Sequence, residues 1–158
     1  MVVWSFLSLY IPYYIKNSAS IWDERFKKIQ EAEEIIKLIE IPKLKNSTIV
    51  GAYKISKRHD LDIATVSAGF RIELDDAQIV RDCKLIYGGM AAMTAQANKA
   101  EVFIRGKKWN RENVQLAIPL IREAFTPISD ARSGAAFRSL AAGNLFLKFW
   151  QEHTIENK

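Results

Sequence analysis

From residue 49 to residue 74, apolar and polar positions alternate with a period of two on both sides of a short charged segment. Ile49, Gly51, Tyr53 and Ile55 share one face of a first strand, leaving Val50, Ala52, Lys54 and Ser56 on the other. In a second strand Ala64, Val66, Ala68, Phe70, Ile72 and Leu74 form a continuous apolar set, with Thr65, Ser67, Gly69, Arg71 and Glu73 between them. The pattern predicts strands over 49–56, 63–74 and 78–87, the last two joined by a tight turn at Asp75 and Asp76, and a further strand in EIIKLIEIP ended by Pro42. After Thr94 the period lengthens to that of a helix. Helices are expected over 95–104, then beyond the break GKKWN from an Asn110 cap with Val114, Ile118, Ile121 and Phe125 on one face and a kink at Pro119. A final helix would carry Phe137, Ala141, Leu145 and Phe149 on one stripe, with Leu140 and Leu147 nearby. Strands followed by helices predict an α+β fold, an antiparallel sheet of three to four strands with about three helices packed on one face.

Composition narrows the chemistry. A chain of 158 residues with 49% apolar content fills one domain. One cysteine, Cys83, and two histidines, His59 and His153, supply too few ligands for a zinc or iron–sulfur site of ordinary count, so no metal is expected in this chain. The net charge of +5 is uneven: Lys37, Lys43, Lys45, Lys54, Lys57 and Arg58 face only Glu40 in their stretch, while Lys99, Arg105, Lys107, Lys108 and Arg111 form a later cluster that reads as a solvated basic surface. No aromatic stacking platform accompanies the charge, which argues against nucleic acid. The opening VVWSFLSLYIPYYI is apolar for about fourteen residues, too few to span a bilayer comfortably, and Pro12 interrupts it. It lacks the basic start and the small-residue cleavage site of a signal peptide, so a cytoplasmic protein that does not bind membranes is expected. Ser20 is placed to cap a short helix through IWDERFKKIQEAEE.

The segment AYKISKRHDLDIA, residues 52–64, sets a cationic loop between two strands, a position that commonly holds a ligand. Lys54 and Ser56 leave their strand on the face opposite Tyr53 and Ile55, available to a ligand instead of the core. On the residues alone the plainer reading is a surface lysine, and His59, between Arg58 and Asp60, reads as solvated, not catalytic. Gly88 and Gly89 suit a sharp turn with close approach of helix to sheet. Asp130 and Arg132 are expected to cap the last helix or to pair across their loop. Phe146 and Trp150, four apart, read as core of this domain, with a partner-facing role as the alternative.

Taken together, KISKRHDLDIA, YGGMAAMTAQANKAE, GKKW and FTPISDARSGAAFR resemble, in order and spacing, the C-terminal subdomain of the flavin-binding part of xanthine dehydrogenase and related molybdenum hydroxylases, also known as the CO dehydrogenase flavoprotein C-terminal domain family. The loop spacing is similar to that of the small subunit of bacterial xanthine dehydrogenases. The resemblance runs over 34–152, leaving 1–33 unassigned and 153–158 as a tail. It implies a piece of an FAD-dependent oxidoreductase in which electrons pass from iron–sulfur clusters through FAD to NAD, not active by itself. The implied partners are an upstream FAD and iron–sulfur portion of the small subunit and a molybdenum-cofactor subunit. By residue, it implies flavin contacts at Lys54, Ile36 and Ser56, with the loop residues Lys57, Arg58, Asp60 and Asp62 close to the ring and no catalytic acid or base in this chain. A cation about 4 Å from developing negative charge, at an effective dielectric near ~20, is worth on the order of 4 kcal/mol before desolvation. Asp60 and Asp62 would act in the opposite sense. Two other readings stay open: a packing or subunit-interaction domain that no longer binds flavin, and the flavin-subunit fragment of a relative that oxidises carbon monoxide or aldehydes. The glycine-rich segments that cradle a dinucleotide's phosphates are missing from this sequence, so weak or absent FAD binding by the chain alone is expected.

Overall fold

The fold was obtained as a computed structural model, which describes residues 43–57 and 63–155. The predicted strand in EIIKLIEIP and the helix after Ser20 lie outside them. β1 (Thr48–Ile55), β2 (Val66–Leu74), β3 (Val80–Gly88) and a two-residue β4 (Ala95–Gln96) form one antiparallel sheet in sequence order. Helices α1 (Asn98–Ile104), α2 (Arg111–Glu123) and α3 (Ala135–Ile155) complete it. The α+β expectation therefore holds, with four strands and three helices among the described residues.

Register makes the alternation of β1 and β2 productive. Ile49 pairs with Ile72, Gly51 with Phe70 and Tyr53 with Ala68, so the apolar sets of both strands fall on one face. Cys83, Leu85 and Tyr87 of β3 continue that face opposite Ile72, Phe70 and Ala68. Phe70 is its centre, fully buried, with ring centroids at 5.8 Å from Tyr53, 5.4 Å from Tyr87, 5.6 Å from Phe146 and 5.3 Å from Phe149. Such tilted and edge-on aromatic pairs contribute about 0.5–1.5 kcal/mol each beyond their buried area. Gly51 is what lets α3 lie against β1: a Cβ there would sit 2.7 Å from Cδ2 of Phe149.

The turn between β2 and β3 is longer than the two-residue turn expected. Its backbone bonds run Asp75 N to Ile79 O and Gln78 N to Asp75 O, and the Asp75 carboxylate accepts from the amides of Ala77 and Ile79. Gln78 takes a φ of 60°, an uncommon conformation for a side chain of this kind that the Asp75 bonds hold in place. Helix α1 also begins later than periodicity predicts. Ala95 and Gln96 pair with Tyr87 and Ile86 as β4, and the helix starts at Asn98. Below that short strand the free edge of β3 is closed by a side chain: the buried Glu101 carboxylate accepts from Leu85 N at 2.7 Å and from Gln96 Nε2 at 2.6 Å. An edge amide left without a partner would otherwise be desolvated at a cost of about 1–3 kcal/mol.

The break at GKKWN is docked on the sheet, with Gly106 N bonded to Val80 O and Val80 N to Lys107 O. Asn110 caps α2 as expected, its Oδ1 accepting from Asn113 N at 2.9 Å, and the helix continues through Pro119. In α3 the buried row is Arg138, Ala141, Ala142, Leu145, Phe146 and Phe149, whereas Phe137 and Leu140 are each 49% exposed. The expected stripe was thus rotated at its N-terminal end, and Phe146 belongs to the core. Among the described residues, no helix is long and apolar enough to cross a membrane.

Candidate functional site

The C-terminal ends of β1 and β3 and the N-terminal end of β2 meet at one end of the sheet. Thr65 N donates to Ile55 O at 2.7 Å, which joins the last residue of β1 to the residue before β2. Strand alternation sends Tyr53 into the helical layer, where its hydroxyl donates to Glu152 at 2.6 Å, and sends Lys54 the other way, exposed and level with Ser67 of β2. Lys54 has no hydrogen-bond or ion-pair partner among the described residues. Ser56 is half-buried beyond the strand, and Lys57 is exposed, with its ammonium donating to Ala131 O at 3.0 Å. Lys54, Ser56 and Lys57 thus follow closely at the end of β1, with Lys54 on the face away from the helices and the Lys57 ammonium on the segment before α3. Ile36, Arg58, Asp60 and Asp62, and with them His59, lie outside the described residues.

One arginine that the periodicity reading did not single out organises this end. Arg138 of α3 is 3% exposed. Its Nη1 donates to the carbonyls of Thr65 and Gly89, and its Nη2 to Asp130 Oδ1 at 2.8 Å, while its Nε has no partner. Gly89 holds a φ of 77°, and a Cβ on it would run into the Thr65 carbonyl, so the turn after β3 accepts only a residue without a side chain. The Gly88 and Gly89 turn therefore allows a close approach to the entry of β2 and to the Arg138 side chain, more than of a helix backbone to the sheet. Asp130 also accepts from Arg132 N and Ser133 N, at 2.9 and 3.0 Å. The cap of α3 comes from another residue, Ser129, whose Oγ accepts from Ala135 N at 3.0 Å. A charged residue standing in the apolar row that continues through Ala142, Leu145 and Phe149 is the signal that could have marked Arg138 in the sequence.

Electrostatics follow from these contacts. The Arg138 guanidinium, helped by the amides of Ser133 and Arg132, holds the Asp130 carboxyl below its ordinary range. A carboxylate with a depressed folded-state pKa stabilises the fold above its unfolded value, near ~3.9, and loses that contribution as pH falls through the folded value. Asp130→Asn is therefore expected to flatten the fall in stability below about pH 4, as read from urea midpoints between roughly pH 3 and pH 7; an unaltered pH profile would contradict it. At the far end of α3, the Lys148 ammonium and then the Tyr53 hydroxyl hold Glu152 low, which ties the helix to β1. Burial pushes the Cys83 thiol up to about 12, leaving it unreactive as a nucleophile. Among the described residues, no group of three or more His, Cys, Asp or Glu side chains is placed to hold a metal ion. The described residues at this end offer two exposed lysines, Lys54 and Lys57, suited to holding a ligand more than to acid–base chemistry.

The chain is similar to known proteins over this region. A family model described as the CO dehydrogenase flavoprotein C-terminal domain matches residues 51–153. Xanthine dehydrogenase 1 of Arabidopsis thaliana is 33% identical over 132 residues, covering 80% of this chain and 10% of that protein. Xanthine dehydrogenase/oxidase of Rattus norvegicus is 33% identical over 126 residues, 78% of this chain and 10% of that protein. The chain thus spans about a tenth of the length of these curated relatives. Among solved structures, the carbon monoxide dehydrogenase from Hydrogenophaga pseudoflava superposes with a TM-score of 0.61 at 24% identity, over 67% of this chain and 36% of that one. Quinoline 2-oxidoreductase from Pseudomonas putida 86 does so with a TM-score of 0.58 at 21% identity, over 67% and 38%. The last two show the fold alone. The family match begins at Gly51, where α3 meets the sheet, and takes in the cationic loop, the double-glycine turn and the Arg138 row: the chain belongs to the CO dehydrogenase flavoprotein C-terminal domain family.

Proposed function

We propose that this chain supplies the C-terminal part of the FAD site in a xanthine dehydrogenase-type oxidoreductase, with Lys54, Ser56 and Ile36 as flavin contacts and Lys57, Arg58, Asp60 and Asp62 in the loop beside the ring. The observation that carries this reading is Lys54: an exposed ammonium at the end of a strand, on the face turned away from the helices, with no partner among the described residues. Family membership and the names of the relatives support the same reading. The described residues fit part of a flavin site. They provide cations and hydroxyls, while no glycine-rich turn opens any of their helices to cradle phosphates. The pyrophosphate grip then comes from polypeptide beyond these residues, such as an FAD and iron–sulfur portion, with a molybdenum-cofactor subunit as the further partner.

When bound, the flavin supplies the electron transfer. The part played by this chain is electrostatic and positional. A fixed ammonium at Lys54 favours negative charge beside it, and the carboxylates of Asp60 and Asp62 disfavour it, so the loop sets the balance. The choice of substrate rests with the molybdenum subunit, which keeps a carbon monoxide or aldehyde oxidising enzyme within the same reading. In the complete flavin-loaded enzyme, Lys54→Ala is expected to lower the flavin midpoint potential by roughly 20–40 mV, the two-electron equivalent of about 1–2 kcal/mol. FAD dissociation should become faster as well. A potential and an FAD affinity both unchanged would overturn the proposal.

A further inference from the structure

We propose that Ser67 is a second polar contact of the site at Lys54: its hydroxyl donates to an acceptor atom of a planar ring laid on the sheet, and Gly88 keeps the place of that hydroxyl clear. This rests on the reading of Lys54 as a flavin contact. Lys54, Ser67 and Gly88 stand in one row across β1, β2 and β3, since Ser67 pairs with Lys54 on one side and with Gly88 on the other. Ala68 and Phe70 of β2 belong to the core under the helices, so Ser67 and Gly69 face the other way, with Lys54. Residues opposed in this manner have Cβ atoms about 4.5–5.5 Å apart, which puts the Ser67 hydroxyl within reach of a group held by the Lys54 ammonium. The adjoining row is Ala52, Gly69 and Ile86, in which Ala52 and Gly69 carry nothing beyond a Cβ. The surface beside Lys54 is therefore low enough for a flat group to lie on it.

The fold itself makes no use of this hydroxyl. Ser67 is 3% exposed, yet its Oγ has no hydrogen-bond partner among the described residues. The side-chain atoms that are both unpartnered and sealed from solvent there are Trp109 Nε1, Arg122 Nε, Arg138 Nε and Trp150 Nε1; Ser67 Oγ is not one of them, so it opens on the surface. A hydroxyl drawn largely out of water without a partner is a net cost, and an alanine would fill the same place without it. Gly88 is fitted to the oxygen as well. A Cβ on Gly88 would stand 2.5 Å from Ser67 Oγ but 3.9 Å from Ser67 Cβ, an ordinary contact. Unlike Gly89, Gly88 does not take a positive φ, so backbone conformation does not demand a glycine there. An ammonium and a hydroxyl side by side above a surface of low relief match a flat ring edged with acceptor atoms.

The test compares Ser67→Ala, Gly88→Ala, the two combined, and Lys54→Ala in the complete flavin-loaded enzyme. It reads the rate of FAD dissociation, the flavin midpoint potential and, with FAD removed, hydrogen-exchange protection in β2. Loss of one hydrogen bond to the ring should speed FAD dissociation about three- to tenfold in Ser67→Ala. The potential should fall, in the same direction as in Lys54→Ala, with β2 as protected as before. Gly88→Ala turns the hydroxyl aside while keeping it and should have the same effect, and the double variant should add nothing, because both act through one oxygen. Ser67→Ala only removes an atom, so its outcome decides even where Gly88→Ala does not fold. Dissociation and potential unchanged in Ser67→Ala, while Lys54→Ala shifts them, would overturn the contact and leave the flavin site standing. Additive effects in the double variant would overturn the role given to Gly88. Faster dissociation together with lost protection in β2 would make Ser67 a residue of the fold and overturn the proposal. No change in any variant would remove the flavin reading of Lys54 and this contact with it.

Discussion

Phe70→Ala should destabilise the folded chain by about 3–5 kcal/mol, the largest single effect expected of a side-chain truncation here. Phe70 is fully buried in the central strand and meets Tyr53, Tyr87, Phe146 and Phe149 around its ring. The truncation removes apolar area and leaves a cavity between sheet and α3 that the surrounding rings cannot close without leaving their own contacts. Denaturant unfolding reads the loss directly, and Phe137→Ala is the control. Although Phe137 shares the aromatic character and the helical spacing of its neighbours, it is half exposed, and its truncation should stay within about 0.5 kcal/mol. Equal effects from the two substitutions would mean that α3 is rotated from the orientation described.

Gly89→Ala should cost about 2–5 kcal/mol and should loosen the candidate site as it does so. Two terms add. A side chain in the left-handed region costs about 1–2 kcal/mol, and the new Cβ would displace the Thr65 carbonyl, leaving the buried Arg138 donor short of a partner at about 1–3 kcal/mol. The signature that separates this from ordinary destabilisation is local: hydrogen exchange should rise at Thr65 and in the loop before it at concentrations of denaturant where Phe70 and its neighbours are still protected. A variant as stable as the parent, with the same exchange pattern, would show that the turn has room for a methyl group and that the Thr65 carbonyl is not confined.

Much of the fold was legible because apolar side chains recur at every second position along its strands. Strict alternation in 49–55 and 66–74 could be satisfied only by a sheet with one apolar face, and the paired positions Gly51 with Phe70 and Tyr53 with Ala68 follow once the faces are matched. The same alternation placed Lys54 and Ser56 away from the core. What periodicity could not deliver were features held by single hydrogen bonds between distant segments. Ala95 and Gln96 have helical neighbours in sequence, yet pairing with Tyr87 and Ile86 makes them a strand. The turn at Asp75 carries a non-glycine residue at positive φ because a carboxylate, not a glycine, stabilises it. Phe137 and Leu140 fit an apolar stripe by spacing, but Arg138 takes the inward position because the Thr65 and Gly89 carbonyls and the Asp130 carboxylate lie there to receive it.

By itself the chain's order of residues determined the strand faces, the Asn110 cap, the class of fold and the direction in which Lys54 points, since each depends on spacing along the backbone and on whether a side chain is apolar. The three-dimensional structure alone decided which distant groups meet: Arg138 with Thr65 and Gly89, Lys57 with Ala131, Glu101 with the edge of β3. Those contacts join residues 16 to 74 positions apart, and a local pattern has no register for a partner that reaches its place only when the helices close over the sheet.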